Sequence, residues 1–241
     1  MISCYEGVLG GGKSYHAVKH ILEYLSKGGN IYANIPLVWP QVRRYCRHRF
    51  GFIPHPRQYH SLTLDELSRL DKVVIGGTDK SPSLLVVDEI HLYFNSRDWA
   101  STSRSFLAWL TQSRKLHCDC IFITQNHLNM DKQFTRLLGR YWHFRDLRQW
   151  KLPGLGIRWP LNQFFSAEID QDGKTVLHSR FEPIDKDVFS CYSSDQLFDG
   201  QSDFAGRGRE PERLSRLRGT PLFSRYRRFV FFCAKDGFLR G

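Results

Sequence analysis

Residues 1–27 read MISCYEGVLGGGKSYHAVKHILEYLSK, and how this stretch divides decides the fold. Ile2 to Tyr5 is a short apolar run, as a buried strand requires. Gly7-Val8-Leu9-Gly10-Gly11-Gly12-Lys13-Ser14 follows and fits G-x-x-x-x-G-K-[ST] at every defined position. Beyond it, Ala17, Val18, Ile21, Leu22 and Leu25 recur at helical spacing, and Gly28-Gly29 supplies a stop. Strand, glycine-rich loop and helix in that order are the setting in which the motif carries meaning.

The chemistry of such a loop is specific. Glycines adopt positive φ without steric cost, so backbone N–H groups can turn inward around an anionic phosphate. The next helix adds its free N–H groups and positive dipole end. A nucleotide, ATP in the first instance, is expected on Gly7, Val8, Leu9, Gly10, Gly11, Gly12, Lys13, Ser14 and Tyr15. Lys13 is placed to reach the β- and γ-phosphates and the Ser14 hydroxyl to ligate Mg²⁺.

The 241 residues suffice for one sizeable α/β domain or a domain plus an appendage, and 41% apolar with 24% charged residues is the composition of a soluble globular protein. No run of 18 apolar residues occurs, so no membrane span is expected within residues 1–241, and the N-terminus has no secretory leader pattern. Cysteines at 4, 46, 118, 120, 191 and 233 show no framework spacing, which fits a reducing compartment. The net charge of +11 is uneven. Residues 205–241 hold ten Lys/Arg against Glu210, Glu212 and Asp236, which leaves +4 for the rest. A basic tail over 196–241 is therefore expected, mobile over its Gly/Arg/Ser-rich part and suited to anionic lipid or nucleic acid.

Asn30 to Ile35 reads as a second strand, stopped by Pro36. Residues 36–60, with four prolines and the run from Arg43 to Arg49, are expected to be irregular. The basic and aromatic side chains there suit either a nucleic-acid grip or a solvated insertion packed on the core. Cys46, His48, His55 and His60 match no zinc spacing. Thr63 to Glu66 resembles a capping box opening a helix to Leu70.

Ser83 to Glu89 (SLLVVDE) is an apolar strand ending in two carboxylates, the character of a parallel strand covered on both faces. Ligands in such sheets bind at the carboxyl ends of strands. Asp88 is expected to hold Mg²⁺ and Glu89 to align or deprotonate the attacking water. A helix is expected over 101–114 and a strand over Asp119–Thr124. Gln125 then stands either beside the Asp88–Glu89 strand end or in a plain loop. Cys118 and Cys120 are strand cysteines. Met130–Leu138 reads as a short helix and Tyr141–Phe144 as a strand. Phe164–Ile169 and Thr175–Phe181 form a hairpin around Asp170-Gln171-Asp172-Gly173, and Asp185–Tyr192 a last helix. The organisation is thus a core over 1–146, an antiparallel extension over 147–195, and the tail.

With these pieces in place the chain resembles the zonular occludens toxin (Zot) family, which includes filamentous-phage assembly ATPases. The resemblance rests on GGGKSYHAV, NIYANIPL, LLVVDEIHLYF, SRKLHCDCIFITQN and DKDVFSCYSS, and spans roughly residues 1–195. It implies a P-loop NTPase of the additional-strand lineage: a mostly parallel sheet covered by helices on both faces, plus a small antiparallel extension. It further implies that Gln125 is the polar sensor and that Lys13, Glu89 and Gln125 serve catalysis. A ring homo-oligomer would supply an arginine in trans, with Arg97, Arg104, Arg114, Arg136, Arg140 and Arg145 as candidates. The implied work is phage assembly and extrusion at the cytoplasmic face of the host inner membrane, with coat or assembly proteins and DNA as partners. Family members usually continue into a membrane span, whereas RRFVFFCAKDGFLRG at the end of this chain offers only a short apolar run. Alternatives that share the core are a genome-packaging ATPase, a nucleotide-gated scaffold and a small-molecule kinase.

Overall fold

A computed structural model describes residues 1–93, 104–125, 130, 132–150, 158–170 and 175–193. Arg97, residues 101–103, the hairpin turn after Asp170 and the tail lie outside the described residues. The described residues fall in one unit, Met1–Gln196.

In chain order the elements are β1 (Ile2–Glu6), α1 (Lys13–Ser26), β2 (Asn30–Ala33), α2 (Trp39–Phe50), β3 (Tyr59–Ser61), α3 (Leu64–Leu67) and α4 (Leu70–Val73). They continue with β4 (Ser83–Val87), α5 (Arg104–Gln112), β5 (Cys118–Thr124), α6 (Lys132–Thr135), β6 (Arg140–Asp146), β7 (Gln163–Ile169), β8 (Val176–Pro183) and α7 (Lys186–Ser190). One eight-stranded sheet runs β3-β2-β4-β5-β1-β6-β7-β8. From β3 to β6 every pairing is parallel. β7 and β8 add on antiparallel, so the expected extension continues the core sheet itself. β5 lies between β1 and β4.

Apolar residues on both sides of each central strand explain the helices on both faces. Tyr5, Leu84, Val86, Ile121 and Ile123 pack with Val18, Ile21, Leu22 and Leu25 of α1, Val42 and Cys46 of α2, and Val188 of α7. Their neighbours Cys4, Leu85, Val87, Cys120 and Phe122 face Leu67, Leu70, Phe106, Leu110 and Phe134 on the other side. Strand alternation assigns the two faces, since successive side chains point in opposite directions.

The 36–60 segment departs from expectation: Trp39–Phe50 is a helix, not irregular chain. Pro40 sits in its first turn, where an N–H would have no helical acceptor, so the proline does not break it. Val42 and Cys46, one turn apart, are buried, and Gly51 at φ 68° closes the end with its N–H on the Arg47 carbonyl. Two buried residues in twelve left too faint a periodicity to read. The three-residue β3 was likewise unexpected. The expected 64–70 helix is two single turns, although its capping box is present: Thr63 N–H donates to Glu66 Oε2 at 2.9 Å. Cys4, Cys46, Cys118, Cys120 and Cys191 are buried free thiols. Among the described residues no helix is long and apolar enough to cross a membrane.

His16 on α1 is buried with its ring stacked on Phe144, centroids 4.2 Å apart, and its Nε2 has no hydrogen-bond partner. Burial pushes its pKa down from 6.5 to about 3, so the fold holds it neutral. The unfolded chain then binds the extra proton between those two values, and stability is complete above about pH 6.5 and falls below it. Lowering the pH from 7 to 5 should remove about 2 kcal/mol through this residue. Urea titrations at both pH values, on the wild type and His16→Phe, test this; the variant should show a flatter dependence.

Candidate functional site

The phosphate loop is built by a strand that ends, a backbone that turns back, and a wall behind it. β1 stops at Glu6, and Gly7 takes φ 148°, with no room for a side chain: a Cβ there would lie 2.7 Å from the Phe144 carbonyl oxygen of β6. Gly12, at φ 99°, opens α1, and a Cβ on it would meet the Phe164 ring of β7 at 2.6 Å. The antiparallel extension therefore braces the loop, a role that residues 147–195 gave no sign of in sequence. Val8 and Leu9 stand out from the loop, 59% and 82% exposed.

Lys13 turns inward and is 6% exposed. Its ammonium donates to the carbonyls of Gly7 at 2.8 Å and Val8 at 3.1 Å. Burial lowers its pKa, opposed by the nearby carboxylates of Glu89, Asp88 and Glu6. Ser14 donates its hydroxyl proton to Asp88 Oδ2 at 2.9 Å, so the opening loop and the end of β4, 74 residues apart, meet in one place. Burial raises the Asp88 carboxyl above the usual range; the Ser14 hydrogen bond, the Glu89 amide and the Lys13 charge oppose that rise.

The chain turns sharply after Asp88. Glu89 adopts φ 52°, ψ 45°, a left-handed conformation that costs a side-chain-bearing residue on the order of 1 kcal/mol. Its Oε1 accepts from Gln125 Nε2 at 3.4 Å. Its Oε2 is buried without a hydrogen bond, 3.3 Å from His91 Nδ1. Gln125 thus stands beside the carboxylate pair, the first of its two possible positions. Tyr15 contributes only backbone to the loop: its side chain is buried, its hydroxyl accepts the Asp185 N–H at 2.9 Å, and its ring packs on Phe164 and Phe189.

Two contributors were missed in sequence. His91 is one. Asn34, just past β2 and 4% exposed, is the other. Its side chain grips the Asp88 peptide from both sides, accepting the Asp88 N–H at 2.7 Å and donating to the Asp88 carbonyl at 3.0 Å. Only the second asparagine of NIYANIPL, polar at the end of an apolar run, hinted at it. Asn34→Ala would leave a buried N–H and carbonyl without partners, so stability should fall by about 2 kcal/mol. Hydrogen exchange should accelerate at the Asp88 and Glu89 amides and stay unchanged in β1.

Of the candidate trans arginines, Arg140 is engaged within the chain by Glu168 at 3.2 Å. Arg114 and Arg140 stand near the amino ends of β5 and β6, at the sheet edge opposite the loop. Arg104 opens α5 and Arg136 follows α6.

The donor set is one of hard oxygens, the Ser14 hydroxyl beside the Asp88 carboxylate, which fits Mg²⁺ held jointly with phosphate oxygens. Gly-rich backbone, a buried ammonium and two carboxylates at a strand end can bind a polyphosphate and orient a water toward it.

The sequence model for zonular occludens toxin (Zot) matches residues 1–197. The Gene 1 protein of Enterobacteria phage I2-2 is 28% identical over 211 residues, covering 80% of this chain and 56% of that one. The Gene 1 protein of Enterobacteria phage M13 is 32% identical over 166 residues, 64% of this chain and 45% of the relative. The chain thus spans about half the length of the curated relatives it matches. The crystal structure of the N-terminal domain of zonular occludens toxin from Neisseria meningitidis superposes with a TM-score of 0.52 at 18% identity, over 80% of this chain and 98% of that domain, a likeness of fold.

Proposed function

Because this chain belongs to the zonular occludens toxin family, we propose that it is a Mg²⁺-dependent P-loop ATPase that powers filamentous phage assembly and extrusion. The observation that carries the reading is the Ser14–Asp88 hydrogen bond of 2.9 Å beside a buried Lys13. These groups come from the two elements that must converge for phosphoryl transfer. The phage context is supported by the Gene 1 relatives.

In this reading the N–H groups of residues 7–15 cradle the phosphates. Lys13 exchanges the Gly7 and Val8 carbonyls for β- and γ-phosphate oxygens and neutralises charge there. Ser14 and Asp88 would hold Mg²⁺, which when bound would supply positive charge against the charge developing on phosphate. Glu89 accepts a proton from the attacking water, and Gln125 orients that water against the γ-phosphate. Asn34 keeps the strand end rigid beneath them. A ring of copies would complete each site with an arginine from its neighbour. The work is assigned to the cytoplasmic face of the host inner membrane, with coat or assembly proteins and DNA as partners and the basic tail on anionic lipid or nucleic acid.

Phosphate release from ATP by the purified chain tests the reading. Turnover should require Mg²⁺ and stop with a chelator. ATP binding without turnover would favour a nucleotide-gated scaffold, and absence of nucleotide binding would overturn the assignment.

A further inference from the structure

One strongly charged surface is left unused by the nucleotide chemistry. From Tyr24 to Leu64 the chain contains no Asp or Glu, while Lys27, Arg43, Arg44, Arg47, Arg49 and Arg57 give it six fixed positive charges. α2 carries four of them. Its apolar side, Val42 and Cys46, is buried in the core, which turns Arg43, Arg44, Arg47 and Arg49 outward. None of these four is ion-paired with a carboxylate among the described residues. Asp185 and Asp187 approach only the side of α2 toward α7, where they line a cavity of about 240 Å³ with Arg44, His48 and Arg49.

At the C-terminal end of this helix the chain exposes apolar side chains. Phe50 is 38% exposed, Phe52 39% and Ile53 44%. Arg49 and Arg57 flank them, and Pro54 and Pro56 stiffen the segment. Topology fixes which end of the molecule this is. β2 and β3 are parallel, so α2 must carry the chain back from the carboxyl edge of the sheet to its amino edge. Gln58, just past the tip, reaches the Leu25 and Gly29 carbonyls at the C-terminal end of α1. The phosphate loop follows the carboxyl end of β1. The apolar tip therefore stands at the edge opposite the nucleotide.

We propose that α2 and the 50–53 tip form a docking surface for an anionic lipid bilayer, with Phe52 and Ile53 entering the interface and the arginines meeting lipid phosphates. Charge complementarity selects an anionic partner, since a face whose four arginines outnumber the two acids at its α7 side repels a basic one. The aliphatic Ile53, directly after Phe50-Gly51-Phe52, suits acyl chains. Single-stranded nucleic acid fits less well: stacking uses aromatic platforms in a groove, whereas α2 is a ridge and the Phe50 ring already packs edge-on against Tyr45, centroids 6.1 Å apart. Guanidinium groups suit phosphate esters because the planar fork matches two oxygens at once. Docking by this edge leaves the phosphate loop free, and it needs no nucleotide, so the proposal stands apart from the ATPase reading.

The test is flotation of the full-length chain with vesicles of phosphatidylcholine alone and with 30% phosphatidylglycerol, without nucleotide, at about 0.1 and 0.5 M salt. The basic tail contributes electrostatically to any polyanion, and the high-salt arm screens that share. Wild type should float with the anionic vesicles and retain part of this binding at high salt. Phe52→Ser/Ile53→Ser should lose about tenfold in partitioning at either salt, and Arg43→Gln/Arg47→Gln about tenfold at low salt. Both pairs are exposed, so melting temperatures should match the wild type; Phe52→Leu should retain binding and separates lost insertion from lost fold. Equal flotation of wild type and the serine variant would overturn the proposal. So would loss of binding to a fluorescent single-stranded oligonucleotide in these variants with vesicle binding unchanged, which would assign the surface to nucleic acid.

Discussion

Replacing Lys13 by Ala is expected to reduce ATP affinity and turnover together, by on the order of 10²–10³-fold or to below detection. Lys13 is 6% exposed, its ammonium donates to two loop carbonyls, and the carboxylates of Glu89, Asp88 and Glu6 act on it electrostatically. It is the positive group at the meeting point of loop and strand end, so removing it leaves phosphate oxygens facing three carboxylates. The stability change should be much smaller. Truncation forfeits two hydrogen bonds to loop carbonyls but also relieves the burial of a charge, and these oppose each other. Titration with a fluorescent ATP analogue, phosphate release and a melting curve on the same preparation separate the two effects. A variant with unchanged turnover would show that the loop is not the phosphate cradle.

Glu89→Gln should leave ATP binding within a few-fold of wild type while turnover falls by about 10²–10⁴-fold. The amide has nearly the same shape, so the left-handed turn at φ 52° and the 3.4 Å contact with Gln125 have no steric reason to change. What disappears is the ability to accept a proton. The carboxylate is held between Gln125, on its Oε1, and His91, 3.3 Å from its Oε2. Single-turnover hydrolysis beside equilibrium binding is the measurement. Loss of binding along with turnover would instead make Glu89 part of the nucleotide or metal cradle.

Much of this site is legible in order along the chain. The phosphate loop declares itself because its requirements are local: glycines for the backbone turn, lysine and serine at fixed offsets. The β4 strand is legible because burial on both faces leaves a continuous apolar run, SLLVV, before the acids. Asn34 was not legible. Its effect is exerted on the Asp88 peptide 54 residues away, and a polar residue after a short strand has no signature of its own. His91 was missed although it meets Glu89 only two residues away, because a histidine in a turn has no signature of its own. α2 was obscured by two prolines and a basic run whose helical register is stated by only two buried residues. The position of Gln125 was open in sequence, since the neighbour of β5 in the sheet is a tertiary choice.

By itself the sequence determined the central strands β1, β2, β4, β5 and β6 and the helix α1, the loop geometry that glycine permits, and the residue types that meet phosphate. These depend on periodicity and on backbone freedom, both properties of neighbouring residues. Only the tertiary structure decided the strand order that sets β5 between β1 and β4, the wall that Phe144 and Phe164 raise behind the loop, and the clamp of Asn34 on Asp88. Those are contacts between distant segments, and they are chosen by how whole faces pack once the chain has collapsed.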